Sequence, residues 1–220
     1  MSPIESSATI KEGKYQVVAW DLDTTGRRMI DEICQVAGFY SSNGSSSENM
    51  ESTFSQYVMP YKNPNPGARR SFGLKVASMG RYRMLKDVET GKILKTKSEV
   101  SALQDFILWL KEAKQKTQSE GIILVCHEPA ARKVLIPLFL EALRRYSLFE
   151  SFSEVVVAFA NSVKVVEQFA DSSKVTSLRC ASLIFIFHFE KVQRKLNFTE
   201  FLTKLFREID LFLYQKFNFF

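Results

Sequence analysis

The run Tyr15-Gln16-Val17-Val18-Ala19-Trp20 is rich in β-branched and aromatic residues and gives way to Asp21-Leu22-Asp23-Thr24-Thr25-Gly26. That pattern calls for a central strand that ends in an acidic turn. Side chains two apart on a strand share a face, so Asp21 and Asp23 should project together from its carboxyl end. Such a pair is half of a metal clamp. Hydrolysis of a phosphodiester by two divalent ions ~3.5–4 Å apart takes oxygens from about four carboxylates. Taken alone, two acids at a strand end are a weak signal and fit a pair of solvated turn caps better.

Beyond the turn, Ile30–Tyr40 and Phe54–Met59 read as a hairpin carrying a floppy Ser/Asn/Gly-rich insertion from Ser41 to Ser52. Asn63-Pro64-Asn65-Pro66-Gly67 excludes regular structure and opens a segment of about 30 residues without periodicity, longer than ordinary connections. Ser98 suits an N-cap and Glu99 the positive end of a helix dipole. Val100, Leu103, Phe106, Ile107, Leu110 and Ala113 then recur at helical spacing, predicting a helix from Glu99 to about Lys116. Ile122–Cys126 is a fully apolar strand, and Val134–Tyr146 an amphipathic helix bent by Pro137. Val155–Phe159 is a further strand and Ser162–Phe169 a short helix. Three antiparallel strands followed by α/β alternation imply a mixed sheet with helices on both faces.

Charge is distributed unevenly over the 220 residues. The segment Lys62–Lys97 holds ten basic residues against Asp87 and Glu89, a net +8, while the whole chain carries +6. A local basic block fits an anionic partner, nucleic acid first and a membrane surface second. Tyr61, Phe72 and Tyr82 interleave with these charges, as phosphate contact and base stacking on a single strand require. The expected RNA contacts are Arg69, Arg70, Lys75, Arg81, Tyr82, Arg83 and Lys86; the bland reading is a solvated basic loop. Cys34, Cys126 and Cys180 lack zinc or disulfide spacing and suit a reducing compartment. Met1–Gly13 has no apolar h-region, and the longest apolar run, Leu183–Phe189, is far short of the ~20 residues that cross a bilayer. A cytoplasmic location with no membrane partner is expected.

Asp21-Leu22-Asp23-Thr24-Thr25-Gly26 followed by Asp31-Glu32-Ile33-Cys34-Gln35-Val36-Ala37 resembles the first motif of the DEDD 3′→5′ exonucleases. His127-Glu128 stands where that superfamily has a strand-end His-Asn pair. Arg132 occupies the position of its third acid, and a cation there repels a metal ion. Neither Asp171 nor Asp210 has a Tyr or His four or five residues before it, so the final motif is missing. The runs Trp20–Met29, Gln56–Tyr61, Asn65–Arg70, Gly80–Lys86, Lys95–Glu99 and His127–Pro129 are similar to the Exuperantia family of insect maternal RNA-localisation proteins. That similarity covers roughly Tyr15 to Val165. It implies a catalytically silent, ribonuclease-H-like domain that needs no cofactor or metal. It also implies RNA binding in mRNA localisation during oogenesis, homodimerisation, and company with other ribonucleoprotein components.

The expected organisation is a flexible stretch over residues 1–14, an exonuclease-like domain over 15–178 and a Phe-rich amphipathic helical tail over 179–220. Ten of the nineteen phenylalanines lie between Ser182 and Phe220. The tail does not resemble the SAM-like region of the family, and fits a dimerisation helix, a core-packing helix or a truncated product. Two other functions stay open: an active metal-dependent exonuclease that substitutes Glu128 or Glu141 for its lost acids, and a protein-interaction scaffold whose basic segment meets acidic partners.

Overall fold

The computed structural model describes residues 12–43, 49–126 and 134–161. Its strands are β1 (Tyr15–Thr24), β2 (Ile33–Asn43), β3 (Asn49–Val58), β4 (Leu74–Met79), β5 (Tyr82–Asp87), β6 (Thr96–Lys97), β7 (Gly121–Cys126) and β8 (Val156–Asn161). Its helices are α1 (Pro66–Phe72), α2 (Glu99–Lys116), α3 (Ile136–Arg145) and α4 (Phe149–Ser153). Six strands form one sheet in the order β6-β3-β2-β1-β7-β8, and β4 and β5 pair separately. β1, β2 and β3 are antiparallel, while β7 and β8 join in parallel on one side and β6 on the other. This is the mixed sheet that the sequence implied. β1 and β7 are central, hence buried on both faces where they pair: Val17, Val18 and every residue from Ile122 to Cys126 are buried.

One face carries the main core. Val18, Trp20 and Leu22 of β1 pack with Val36 and Tyr40 of β2, Ile122 and Leu124 of β7, and the apolar stripes of α2, α3 and α4. The expected α2 is found with the expected bounds. Ser98 caps it by accepting from the Ser101 N–H, and Ala102, Leu103, Phe106, Ile107, Leu110 and Ala113 form its buried side. The helix lies close on β2 because position 38 is glycine: a Cβ there would meet Trp109 Cζ3 at 2.7 Å. Trp20, Phe139, Phe152 and Phe159 continue the core as a chain of tilted, edge-on and stacked ring contacts.

The opposite face carries a smaller core, in which Cys34 packs with Leu74 and Leu85 of the β4–β5 hairpin, Tyr57, Met59 and Phe72 of α1. The small core corrects the sequence reading of Lys62–Lys97. Most of that segment is regular: α1, a hairpin and the edge strand β6. Asn65-Pro66 starts a helix where regular structure was excluded, because Asn65 Oδ1 accepts from the Ala68 N–H and proline is tolerated in a first turn.

Further differences concern boundaries. β1 runs through the acidic pair to Thr24, since its ladder to β2 continues as Asp21↔Ala37, Leu22↔Val36 and Asp23↔Gln35. Much of the insertion expected to be floppy is strand, β2 reaching Asn43 and β3 starting at Asn49. Pro137 is the second residue of α3, and Val134 and Leu135 before it are π-helical, so the proline stands inside a longer helical run. α4 was not expected from the sequence. The expected helix Ser162–Phe169, the segment 1–11, the tail 179–220, and His127, Glu128, Arg132 and Cys180 lie outside the described residues. No helix among the described residues is long and apolar enough to cross a membrane.

Candidate nucleic-acid interface beside the acidic pair

Leu22 points into the main core at 2% exposure, so alternation along β1 sends Asp21 and Asp23 to the other face, as the sequence indicated. Asp21 is exposed and accepts from the Leu22 N–H at 2.9 Å. Asp23 is drawn further in. A register shift at Asp23/Thr24 leaves Cys34 as the extra residue of β2, and the negative charge of Asp23 is felt by both the Cys34 thiol and the Tyr57 hydroxyl. Burial, then repulsion from Asp21, raises the Asp23 carboxyl to about 7, and burial pushes the Cys34 thiol up to about 12. Among the described residues no group of three or more His, Cys, Asp or Glu side chains is placed to hold a metal ion. Glu141 sits on α3, which packs on the Trp20 face, so it lies across the sheet from the acidic pair.

The Thr-Thr-Gly that follows acts as a tie point. The Thr25 N–H donates to the Glu32 carbonyl, Thr25 Oγ1 accepts from the Glu32 N–H, and the Thr25 carbonyl accepts from the Asn65 N–H. Asp31, only 8% exposed, accepts from the Arg28 backbone and guanidinium and from Thr25 Oγ1. Gly26 lies between these groups. A Cβ there would meet Asn65 Nδ2 and Asp31 Oδ2, each at 2.5 Å. Lys62 closes the cluster, its N–H donating to Glu32 Oε2 at 2.8 Å and its ammonium to the Ile30 carbonyl. The start of the basic segment is thus fixed to the end of β1.

From that anchor the chain places the expected RNA contacts on one substructure. Arg69 and Arg70 occupy the last turn of α1, and Arg69 Nε donates to the Pro64 carbonyl at 3.1 Å. Gly73 ends α1 at φ 67°, and β4 and β5 follow, joined by the two-residue loop Gly80-Arg81. Gly80 takes φ 59°, which suits the first position of a primed hairpin turn and presents Arg81 at the tip. Val76 and Leu85, paired in register, belong to the small core, and Arg83, two pairs further on the same face, donates to Asn63 Oδ1 at 3.4 Å. The alternate pairs Lys75↔Lys86 and Met79↔Tyr82 face outward. The structure therefore brings Lys75, Tyr82 and Lys86 together on one hairpin face and Arg81 to its tip. Arg69 and Arg70 stay on α1, and Arg83 turns to the hairpin's inner side.

Among the described residues Arg70, Lys75, Arg81 and Lys86 make no ion pair, whereas Lys97 is paired with Asp105. Sequence reasoning missed Asn63, Asn65, Asp31 and Met79. Asn65-Pro66 is a capping signature and could have been found. Asp31 carried no signal of burial.

These features define a class before a family. A central strand ending in Asp21-Leu22-Asp23-Thr24-Thr25-Gly26, with the antiparallel meander β2–β3 on one side and the parallel strands β7 and β8 on the other, is a ribonuclease-H-like domain of the exonuclease type. A family profile described as "Exuperantia RNAse H-like domain" matches residues 15–185, and the chain belongs to that family. It is 42% identical over 168 residues to maternal protein exuperantia of Drosophila melanogaster, covering 76% of this chain and 30% of that protein. Its identity to maternal protein exuperantia-2 of Drosophila pseudoobscura pseudoobscura is 47% over 159 residues, covering 71% and 31%. The chain spans about a third of the length of these relatives. Among solved structures it resembles product-bound exonuclease I, with a TM-score of 0.47, 12% identity, and coverage of 73% of this chain and 33% of that one.

Proposed function

We propose that this chain is a non-catalytic, RNA-binding relative of the 3′→5′ exonucleases that serves mRNA localisation during oogenesis, as a homodimer in cytoplasmic ribonucleoprotein particles. The observation that carries the reading is the group Arg70, Lys75, Arg81 and Lys86, cations without an ion pair among the described residues, held on a substructure tied to the end of β1. A folded domain that keeps positive charges unneutralised on one small element suits a polyanion, whose condensed counterions are released on binding. The maternal proteins it is related to set the biological context. Absence of catalysis is supported by Arg132 at the place of the third acid and by the position of Glu141 across the sheet.

The test is a filter-binding titration of single-stranded RNA at several salt concentrations. The double variant Arg70→Glu, Arg81→Glu should bind more weakly and with a flatter dependence on log salt, by about 1–1.5 in slope if two phosphate contacts are lost. Unchanged affinity and slope would contradict the proposal. Competition by tRNA at physiological salt separates RNA binding from a scaffold that meets acidic proteins.

A further inference from the structure

We propose that the outward face of the β4–β5 hairpin is a single-strand platform. Tyr82 and Met79 take the face of an unpaired base, and Lys75 and Lys86 take the phosphates beyond it. This rests on the RNA-binding reading above and adds which form of RNA the site accepts and which side chains make the choice.

The register supplies the argument. Met79↔Tyr82, Ala77↔Met84 and Lys75↔Lys86 are successive outward pairs of one antiparallel ladder, while Val76 and Leu85 hold the inward face on Cys34, Tyr57 and Met59. A hairpin anchored on one face is a fixed platform on the other. At its tip it shows two large apolar side chains to solvent, Met79 at 69% and Tyr82 at 75% exposure. Ala77 and Met84 continue the floor between this apolar end and the lysines, without charge or bulk beyond a thioether. A ring displayed on the same face as cations that make no ion pair among the described residues is what base stacking with phosphate contact requires.

Lys75 directly opposite Lys86 is the second observation. Like charges facing each other across a ladder destabilise a hairpin, and among the described residues no acidic side chain pairs with either. A phosphate between them removes that repulsion. Outward pairs are about 6.7 Å apart along the strands, which sets the lysines about 13 Å from the ring. They lie alongside the path of the strand and leave the stacked base uncovered. In a duplex the base faces are already stacked on one another, and recognition falls to phosphates and 2′-hydroxyls. Duplex RNA can therefore use Lys75 and Lys86 but not Tyr82.

The experiment titrates the full chain with a labelled oligouridine and with a blunt RNA duplex of equal charge. Wild type should bind the single strand more tightly. Tyr82→Ala should weaken single-strand binding roughly tenfold and leave duplex binding unchanged, with Tyr82→Phe within about twofold of wild type. Lys75→Glu with Lys86→Glu should weaken both. Circular dichroism checks that the variants keep the fold, which an exposed tyrosine should not disturb. Equal affinity for the two RNAs, or a Tyr82→Ala effect that is absent or the same on both, overturns the platform. If Arg70→Glu, Arg81→Glu lowers binding while Tyr82→Ala does not, the platform falls and the RNA reading stands. If wild type binds neither RNA, both fall.

Discussion

At the scale of single residues, Asp23 combines two unfavourable circumstances: partial burial beside Cys34 and a shared face with Asp21. Its carboxyl holds its proton to about pH 7 in the folded chain, against 3.8 in an unfolded one. The folded state binds that proton more tightly, so the contribution of Asp23 to stability is fully present below pH 3.8 and is lost as pH rises to about 7. Asp23→Asn should therefore stabilise the protein at pH 8 by on the order of 1–3 kcal/mol and by less at pH 5.5. Urea denaturation at the two pH values measures this, and an equal effect at both would argue against a protonated Asp23. Cys34, buried with its thiol pushed up to about 12, should resist alkylation in the native chain at pH 8. Mass spectrometry after a brief iodoacetamide pulse reads that directly. The shared face of Asp21 and Asp23 was legible in the sequence because strand alternation dictates it. Their different environments were not, because the register shift that sets Cys34 under Asp23 depends on how β2 meets β1.

Among the elements, α2 and the β4–β5 hairpin mark the extremes of legibility. α2 repeats its apolar residues at helical spacing between a serine cap and a lysine-rich end, and its bounds were read correctly. The hairpin hides its alternation, because Val76-Ala77 and Met84-Leu85 put apolar residues on both faces and its core is only a few side chains deep. That shallow core makes the hairpin a separable unit. Leu85→Ala, at a fully buried position, should cost about 2–4 kcal/mol locally. Backbone amides of Lys75–Lys86 should then exchange at least tenfold faster, while β1 and β7 keep their protection. Uniformly accelerated exchange would mean that the hairpin is integral to the main core. Gly26→Ala tests the tie point, since a methyl group 2.5 Å from Asn65 Nδ2 and Asp31 Oδ2 must push apart the end of β1 and the cap of α1. A loss of about 1–3 kcal/mol in chemical denaturation is expected.

For the molecule as a whole, the sheet separates two kinds of work. One face holds nearly all the large apolar side chains under α2, α3 and α4; the other presents the acidic pair with α1 and the hairpin beside it. In this arrangement the Asp-Leu-Asp-Thr-Thr-Gly end of β1 is a structural anchor: Thr25 and Gly26 fix Asn65, and Asn65 starts the element that carries the cations. The mixed sheet and the family were legible because they rest on long apolar strands and an unusual motif. The orientation of the seven expected RNA contacts was not, since it depends on a hairpin register. The central claim is that the domain holds RNA without cutting it. Incubating the chain with labelled single-stranded RNA and magnesium or manganese, then recovering both bound fraction and RNA length, tests this most directly. The account predicts bound, full-length RNA, whereas shortened products that disappear in the Asp21→Asn, Asp23→Asn variant would contradict it.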